Sequence, residues 1–267
     1  MFRTTKLLAI LVSILVPFAA VSTAQAETVI AKTKLTPNGG KFKKKTRLPA
    51  KLSVSAVVTP QPGASLVNPT KRIDIKFPAG MTLRPNRKVC SDRKLSASSD
   101  LSTPSVVVKA CRSAVVGTGT AMIYLARAAA SALNDPVLIA FNAGKNKKGQ
   151  PKLKIYGYSK QTQVGVLMSA TLKGRSLSIS IPVLSYDSAV GTFKLQIPGP
   201  RLNRPEIGVN TKGQNRRYVL ASCPTPKLVT AATFFLGTRN PSTGDPTSPT
   251  TKVSSKKTVQ KCVARGR

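Results

Sequence analysis

Val164-Gly165-Val166-Leu167-Met168-Ser169-Ala170-Thr171-Leu172 is followed by Lys173-Gly174, and then by Ser176-Leu177-Ser178-Ile179-Ser180-Ile181-Pro182-Val183. Two β-rich runs meet across one glycine. This is the pattern of a hairpin whose tight turn uses Gly174 at positive φ. Outward from it the texture persists. Val137 to Phe141 is an apolar run of strand length. Asn142 to Gln150 is a basic turn, and Lys152 to Tyr158 returns. Gly191 to Ile197, Arg217 to Ser222 and Leu228 to Leu236 add further strands.

On the N-terminal side, Leu52 to Val58 starts with apolar-polar alternation and stops at Thr59-Pro60-Gln61-Pro62-Gly63. Arg72-Ile73-Asp74-Ile75-Lys76-Phe77 alternates again. Period two puts Arg72, Asp74 and Lys76 on one face, which makes Asp74 a solvated partner of its basic neighbours. Val106-Val107-Val108 reads as a short strand or a helical turn. Ala121 to Leu125 reads as a strand, and Ala126 to Leu133 as one or two helical turns. Many short strands with Gly and Pro punctuation indicate an all-β, antiparallel β-sandwich, one large or two small. Two sandwiches would place a seam at Asn134-Asp135-Pro136, within a β region running from residue 52 to 267.

Residues 1–26 carry a secretory address. Arg3 and Lys6 form a positive start and Leu7 to Ala20 an apolar stretch. Ala24-Gln25-Ala26 supplies small residues before a cleavage ahead of Glu27. The expected location is secreted, or extracytoplasmic, with no transmembrane span in the mature chain. Residues 27–51 read as a basic, mobile arm or a loosely attached first strand, and residues 238–267 as a polar, basic C-terminal segment.

Cys90, Cys111, Cys223 and Cys262 are an even number in a chain read as exported, which favours disulfides. Three pairings are open. Closure of local loops favours Cys90–Cys111 and Cys223–Cys262. Zinc is the competing reading, weakened by the lack of a C-x-x-C pair.

Composition excludes much chemistry. The 267 residues contain no histidine and no tryptophan. That removes Ser-His-Asp and Cys-His catalysis and histidine-ligated metals. The eight carboxylates (Glu27, Asp74, Asp92, Asp100, Asp135, Asp187, Glu206 and Asp245) are scattered, with no sign of a glycosidase pair. Ser91 to Lys94 and Ser254 to Lys257 match Ser-x-x-Lys but lack the companion motifs of serine–lysine hydrolases. Gly117-x-Gly119 lacks the rest of a phosphate fingerprint and reads as a turn. The expectation is no enzymatic activity, no cofactor and no metal.

The strongest signal is charge: 43 Lys+Arg against 8 Asp+Glu, a formal +35. The basic clusters are Lys41, Lys43, Lys44, Lys45 and Arg47, then Lys145, Lys147, Lys148, Lys152 and Lys154, then Lys256, Lys257 and Lys261. Such a field attracts polyanions and is screened by salt. For an exported chain the expected partners are anionic cell-envelope polymers or lipid headgroups. The few aromatics argue against stacked single-stranded or sequence-specific nucleic acid. The alternative is a structural or protein-partner-binding β-sandwich module whose charge is incidental.

The leader, the Phe77-Pro78-Ala79-Gly80 turn, Cys111 with Val116-Gly117-Thr118-Gly119-Thr120-Ala121, and Tyr218-Val219-Leu220-Ala221-Ser222-Cys223-Pro224 also carry a resemblance. The chain is similar to uncharacterised exported β-rich proteins of high-GC actinobacteria. The resemblance implies export, β-structure and disulfides, and transfers no functional residue.

Overall fold

The structure is a computed structural model that describes residues 27–60, 68–85, 88–97, 101–124, 132–182, 189–214, 216–239 and 246–264. The leader and most of the alanine-rich stretch after Tyr124 lie outside these residues.

The first strands are β1 (Thr28–Pro37), β2 (Leu48–Thr59), β3 (Thr70–Lys76) and β4 (Met81–Leu83). Helices α1 (Asp92–Ala97) and α2 (Pro104–Cys111) follow. Next come β5 (Val115–Tyr124), β6 (Ala132–Leu133), β7 (Val137–Lys145), β8 (Pro151–Ser159), β9 (Val164–Lys173), β10 (Ser176–Ser180) and β11 (Ala189–Ile197). The chain continues through β12 (Leu202–Arg204), β13 (Val209–Thr211), β14 (Val219–Ala221), β15 (Lys227–Arg239), β16 (Pro246–Ser254) and β17 (Thr258–Lys261).

The fold is mostly antiparallel β. Among the described residues, fifteen strands form one sheet in the order β16-β15-β3-β10-β9-β8-β7-β5-β11-β2-β14-β4. β1 also pairs with β2, β17 with β15 and β6 with β5, while β12 and β13 form a separate ribbon. The β9–β10 hairpin turns on Gly174-Arg175, with Lys173 opposite Ser176 and Gly174 at φ 58°. Across Asn134-Asp135-Pro136 the sheet is continuous, because β5 pairs with β7 and with β11.

Two buried clusters explain the sequence texture. The larger takes inward side chains from β1, β2, β3, β8, β10, β11 and β15, including Val29, Leu52, Ile73, Ile155, Ile179, Leu195 and Phe234. The smaller lies on the other face of β7 and β8, where Ile139, Phe141 and Tyr156 pack against Val107, Val108 and Cys111. Leu138 and Ala140 belong to the larger cluster, while Val137, Ile139 and Phe141 belong to the smaller. β7 is thus covered on both faces, which is why its sequence is continuously apolar. The valine run at 106–108 is helical, within α2, with Pro104 in the first turn and Val107 and Val108 buried. Burial of that face outweighs the strand preference of valine.

Both disulfides form as expected. Cys90–Cys111 has a Cα–Cα distance of 5.4 Å and Cys223–Cys262 one of 5.8 Å. The first ties the segment before α1 to the end of α2. The second ties the residue after β17 to the segment between β14 and β15.

Two expectations need correction. From residue 27 the chain forms the first strand, one of its two expected readings, but the strand is not loosely attached. β1 pairs with β2 over ten residues, Thr28↔Thr59 to Pro37↔Ala50, and buries Val29, Ala31 and Leu35. Its lysines occupy the outward positions of an alternating strand. Gly117-x-Gly119 is no turn: both glycines lie inside β5. A Cβ on Gly119 would sit 1.9 Å from the Lys194 carbonyl oxygen, so glycine here permits close approach of β11. The C-terminal segment, read from sequence as polar and basic, contributes β16 and β17.

Candidate anion-binding groove

Where α2 covers the outer face of β7 and β8, the neighbouring outer face of β5, β11, β2 and β1 stays open. The register assembles two rows there. Lys32, Ser55, Lys194 and Thr120 lie opposite one another on β1, β2, β11 and β5. One pleat along, Lys34, Ser53, Gln196 and Thr118 do the same. Lys32 and Lys34 are about 7 Å apart along one strand, and Lys194 is about 10 Å from Lys32 across two interstrand spacings.

Two walls rise beside this floor. One is Pro200-Arg201-Leu202, held by the Thr118 hydroxyl donating to the Pro200 carbonyl at 2.8 Å. Arg201 Nε donates to Asn210 Oδ1 at 3.0 Å. The other wall is Lys256 to Gln260. It docks on β1 through side chains: Thr258 Oγ1 donates to the Ala31 carbonyl at 2.9 Å, and Gln260 Nε2 to the Leu35 carbonyl at 2.6 Å. Leu35 N–H donates back to Gln260 Oε1 at 2.8 Å.

The result is a groove of about 1100 Å³. Its described lining contains Lys32, Lys34, Lys194, Arg201, Lys256 and Lys257 and no carboxylate. The lysines of the floor, Lys32, Lys34 and Lys194, are exposed. Ile30 and Val259, 49% and 56% exposed, add apolar contact area. At these spacings the mutual repulsion of two ammonium groups is about 0.6 kcal/mol in water, small enough for the sheet to hold them together.

The sequence-predicted basic residues do not converge on one site. Lys256 and Lys257 line the groove; Lys261 lies outside its lining. Lys41, Lys43, Lys44, Lys45 and Arg47 are exposed between β1 and β2. Lys44, Lys45 and Arg47 line a second open groove of about 770 Å³ beside Thr82 and Ser222. Lys145, Lys147 and Lys148 are exposed at the β7–β8 turn. Lys152 and Lys154 are engaged by Asp92, with Nζ–Oδ distances of 3.0 and 3.3 Å. The hydrogen bond from Lys152 holds the Asp92 carboxyl below its ordinary range. Lys32, Lys34, Lys194 and Arg201 escaped notice in the sequence because none sits in a dense basic run.

The Ser-x-x-Lys matches have structural roles. The Lys94 backbone N–H donates to Ser91 Oγ at 3.3 Å, in the manner of an N-cap at the start of α1. Ser254 Oγ lies 3.4 Å from Thr233 Oγ1 on the paired strand. Asp74 pairs with Arg72 at 3.3 Å, as its alternation implies.

Compared with known proteins, the chain matches no family model, no curated protein and no solved structure. No helix among the described residues is long and apolar enough to cross a membrane.

Proposed function

We propose that this is an exported, non-enzymatic binding protein that holds a chain-like anionic polymer of the cell envelope in the β1–β11 groove. The leader-like segment, the paired cysteines and the resemblance to exported actinobacterial proteins support the location. In the same reading the long sheet folds over as a sandwich, since strands from both ends of its order share one buried cluster.

One observation carries the function. Six basic side chains from four segments, Lys32, Lys34, Lys194, Arg201, Lys256 and Lys257, line one concavity without a carboxylate among its described lining residues. A concave site admits a polymer chain more deeply than the flat surface of a bilayer. A phosphate-bearing polymer fits the chemistry best, because its anionic groups recur along the chain and the lysines recur along the floor. The open hydroxyls of Ser53, Ser55 and Thr120 offer neutral hydrogen bonds between the charges.

The test is retention of the protein on isolated cell wall and on anionic liposomes from low to high salt. Strong retention on wall that falls steeply with salt, exceeding that on liposomes, supports the reading. Absence of retention at low salt sinks it, and favours a module that binds a protein partner.

A further inference from the structure

The second basic groove, lined by Lys44, Lys45 and Arg47, opens on the same face of β2 as the first. The strand register fixes this. Leu220 of β14 lies opposite Pro49 of β2, and Thr82 of β4 lies opposite Leu220. Directly opposed residues share a face. Thr82 and Leu220, which line the second groove, are therefore on the Pro49 side of the sheet. Every second residue of β2 returns to that side, which places Pro49, Lys51, Ser53 and Ser55 there. Ser53 and Ser55 line the first groove. The intervening Ala50, Leu52 and Val54 are buried in the core.

Lys51 occupies the interval between the two grooves. It lies opposite Thr36 on β1, one pleat beyond the Lys34–Ser53 pair. The outward positions of β1 and β2 thus carry Lys32, Lys34 and Lys51 at successive steps of about 7 Å along the strands. From Ser55 to Pro49 the strand covers about 20 Å. The loop that supplies the far cations is built into the fold. Phe42 is buried and bridges to Ala264. The Lys43 carbonyl accepts the Cys223 N–H at 2.8 Å, and the Asn38 N–H donates to the Pro49 carbonyl at 2.9 Å. Lys44, Lys45 and Arg47 are exposed on this anchored loop, immediately before β2. Neither groove has a carboxylate among its described lining residues.

We infer that the two grooves are the ends of one track, joined by Lys51, along which a single anionic polymer chain lies parallel to β1 and β2; this presupposes the polymer-binding reading above and adds the direction and length of the chain bound. Independent grooves would hold two chains. A track holds one, and its second contact is intramolecular, at an effective concentration in the millimolar range. A chain too short to cross the interval gains nothing from the far groove.

The experiment uses end-labelled abasic phosphodiester oligomers of about three and about twelve repeats, so that only the longer one spans the track. Fluorescence anisotropy at low salt gives affinity, and calorimetry gives stoichiometry. The longer oligomer should bind one per protein, about 100-fold tighter than the shorter; the extra registers of a longer chain account for only about tenfold. Lys51→Gln should weaken the longer oligomer about fivefold and Lys44→Gln/Lys45→Gln about 30-fold, one lost charge contact and two. The shorter oligomer's tighter site should change by less than about twofold in either variant, because screening limits the reach of the lost charge. Thr36→Glu, which places a carboxylate opposite Lys51, should likewise weaken only the longer oligomer. Two long oligomers per protein, a length advantage of about tenfold or less, or equal effects of Lys51→Gln on both lengths would overturn the track, while binding of the shorter oligomer would still support the groove. Failure of both oligomers to bind would defeat the polymer-binding reading itself, and the track with it.

Discussion

Neutralising Lys32 and Lys194 together, as Lys32→Gln/Lys194→Gln, probes the groove floor without touching the core. Both side chains point outward from paired strands, with Ser55 between them in the register. A cation and an anion about 4 Å apart in water attract by about 1 kcal/mol. Losing two such contacts should weaken binding of a phosphodiester oligomer by about 2 kcal/mol, roughly 30-fold, at low salt. The salt dependence gives a second readout. With six cations engaged, log affinity should fall with log salt at a slope of about −4, using the coefficient for single-stranded polyanions. The double variant should lower that slope to about −3. Fluorescence anisotropy of a labelled oligomer, titrated at several salt concentrations, measures both. Lys147→Gln/Lys148→Gln removes the same charge from the β7–β8 turn and is the control. At a Debye length of about 10 Å in 0.1 M salt, charge lost outside the groove should matter little. Equal losses in the two variants would refute the groove and leave only net charge.

Further outcomes follow from the surrounding structure. Gly119→Ala should lower the melting temperature and loosen the groove floor, because its Cβ would collide with the Lys194 carbonyl; thermal unfolding checks it. Cys223→Ser/Cys262→Ser should destabilise the fold by roughly 3–4 kcal/mol through a freer unfolded chain. It should also weaken oligomer binding, since β17 continues the Lys256 to Gln260 wall. Asp92 should contribute stability above the ordinary aspartate value of 3.8, where both folded and unfolded states are ionised. Its folded-state value is lower, so the contribution is lost as pH falls through that value. Asp92→Asn should flatten that part of the acid-denaturation profile.

The hairpins and the bridges were legible because they are local. Gly174 announces its turn, the alternation of Arg72 to Phe77 announces its faces, and each cysteine pair closes one loop. The groove was not legible, because it depends on register between strands distant in sequence. Nothing near Lys32 signals that Lys194 lies two strands away. Charge density misdirected attention in two ways. It hid the alternation of Val29, Ala31 and Leu35 behind lysines, and it promoted Lys152 and Lys154, which Asp92 engages. The helix at 104–111 depends on a tertiary partner, the outer face of β7 and β8, which no local pattern could reveal.

The most direct test of the central claim is a lysine footprint. The protein is trace-acetylated with and without a phosphodiester polymer, and each lysine's reactivity is read by mass spectrometry. The groove account predicts protection of Lys32, Lys34, Lys194, Lys256 and Lys257, with Lys147 and Lys148 unchanged. Uniform protection across the surface, or protection confined to Lys41 to Lys45, would contradict it.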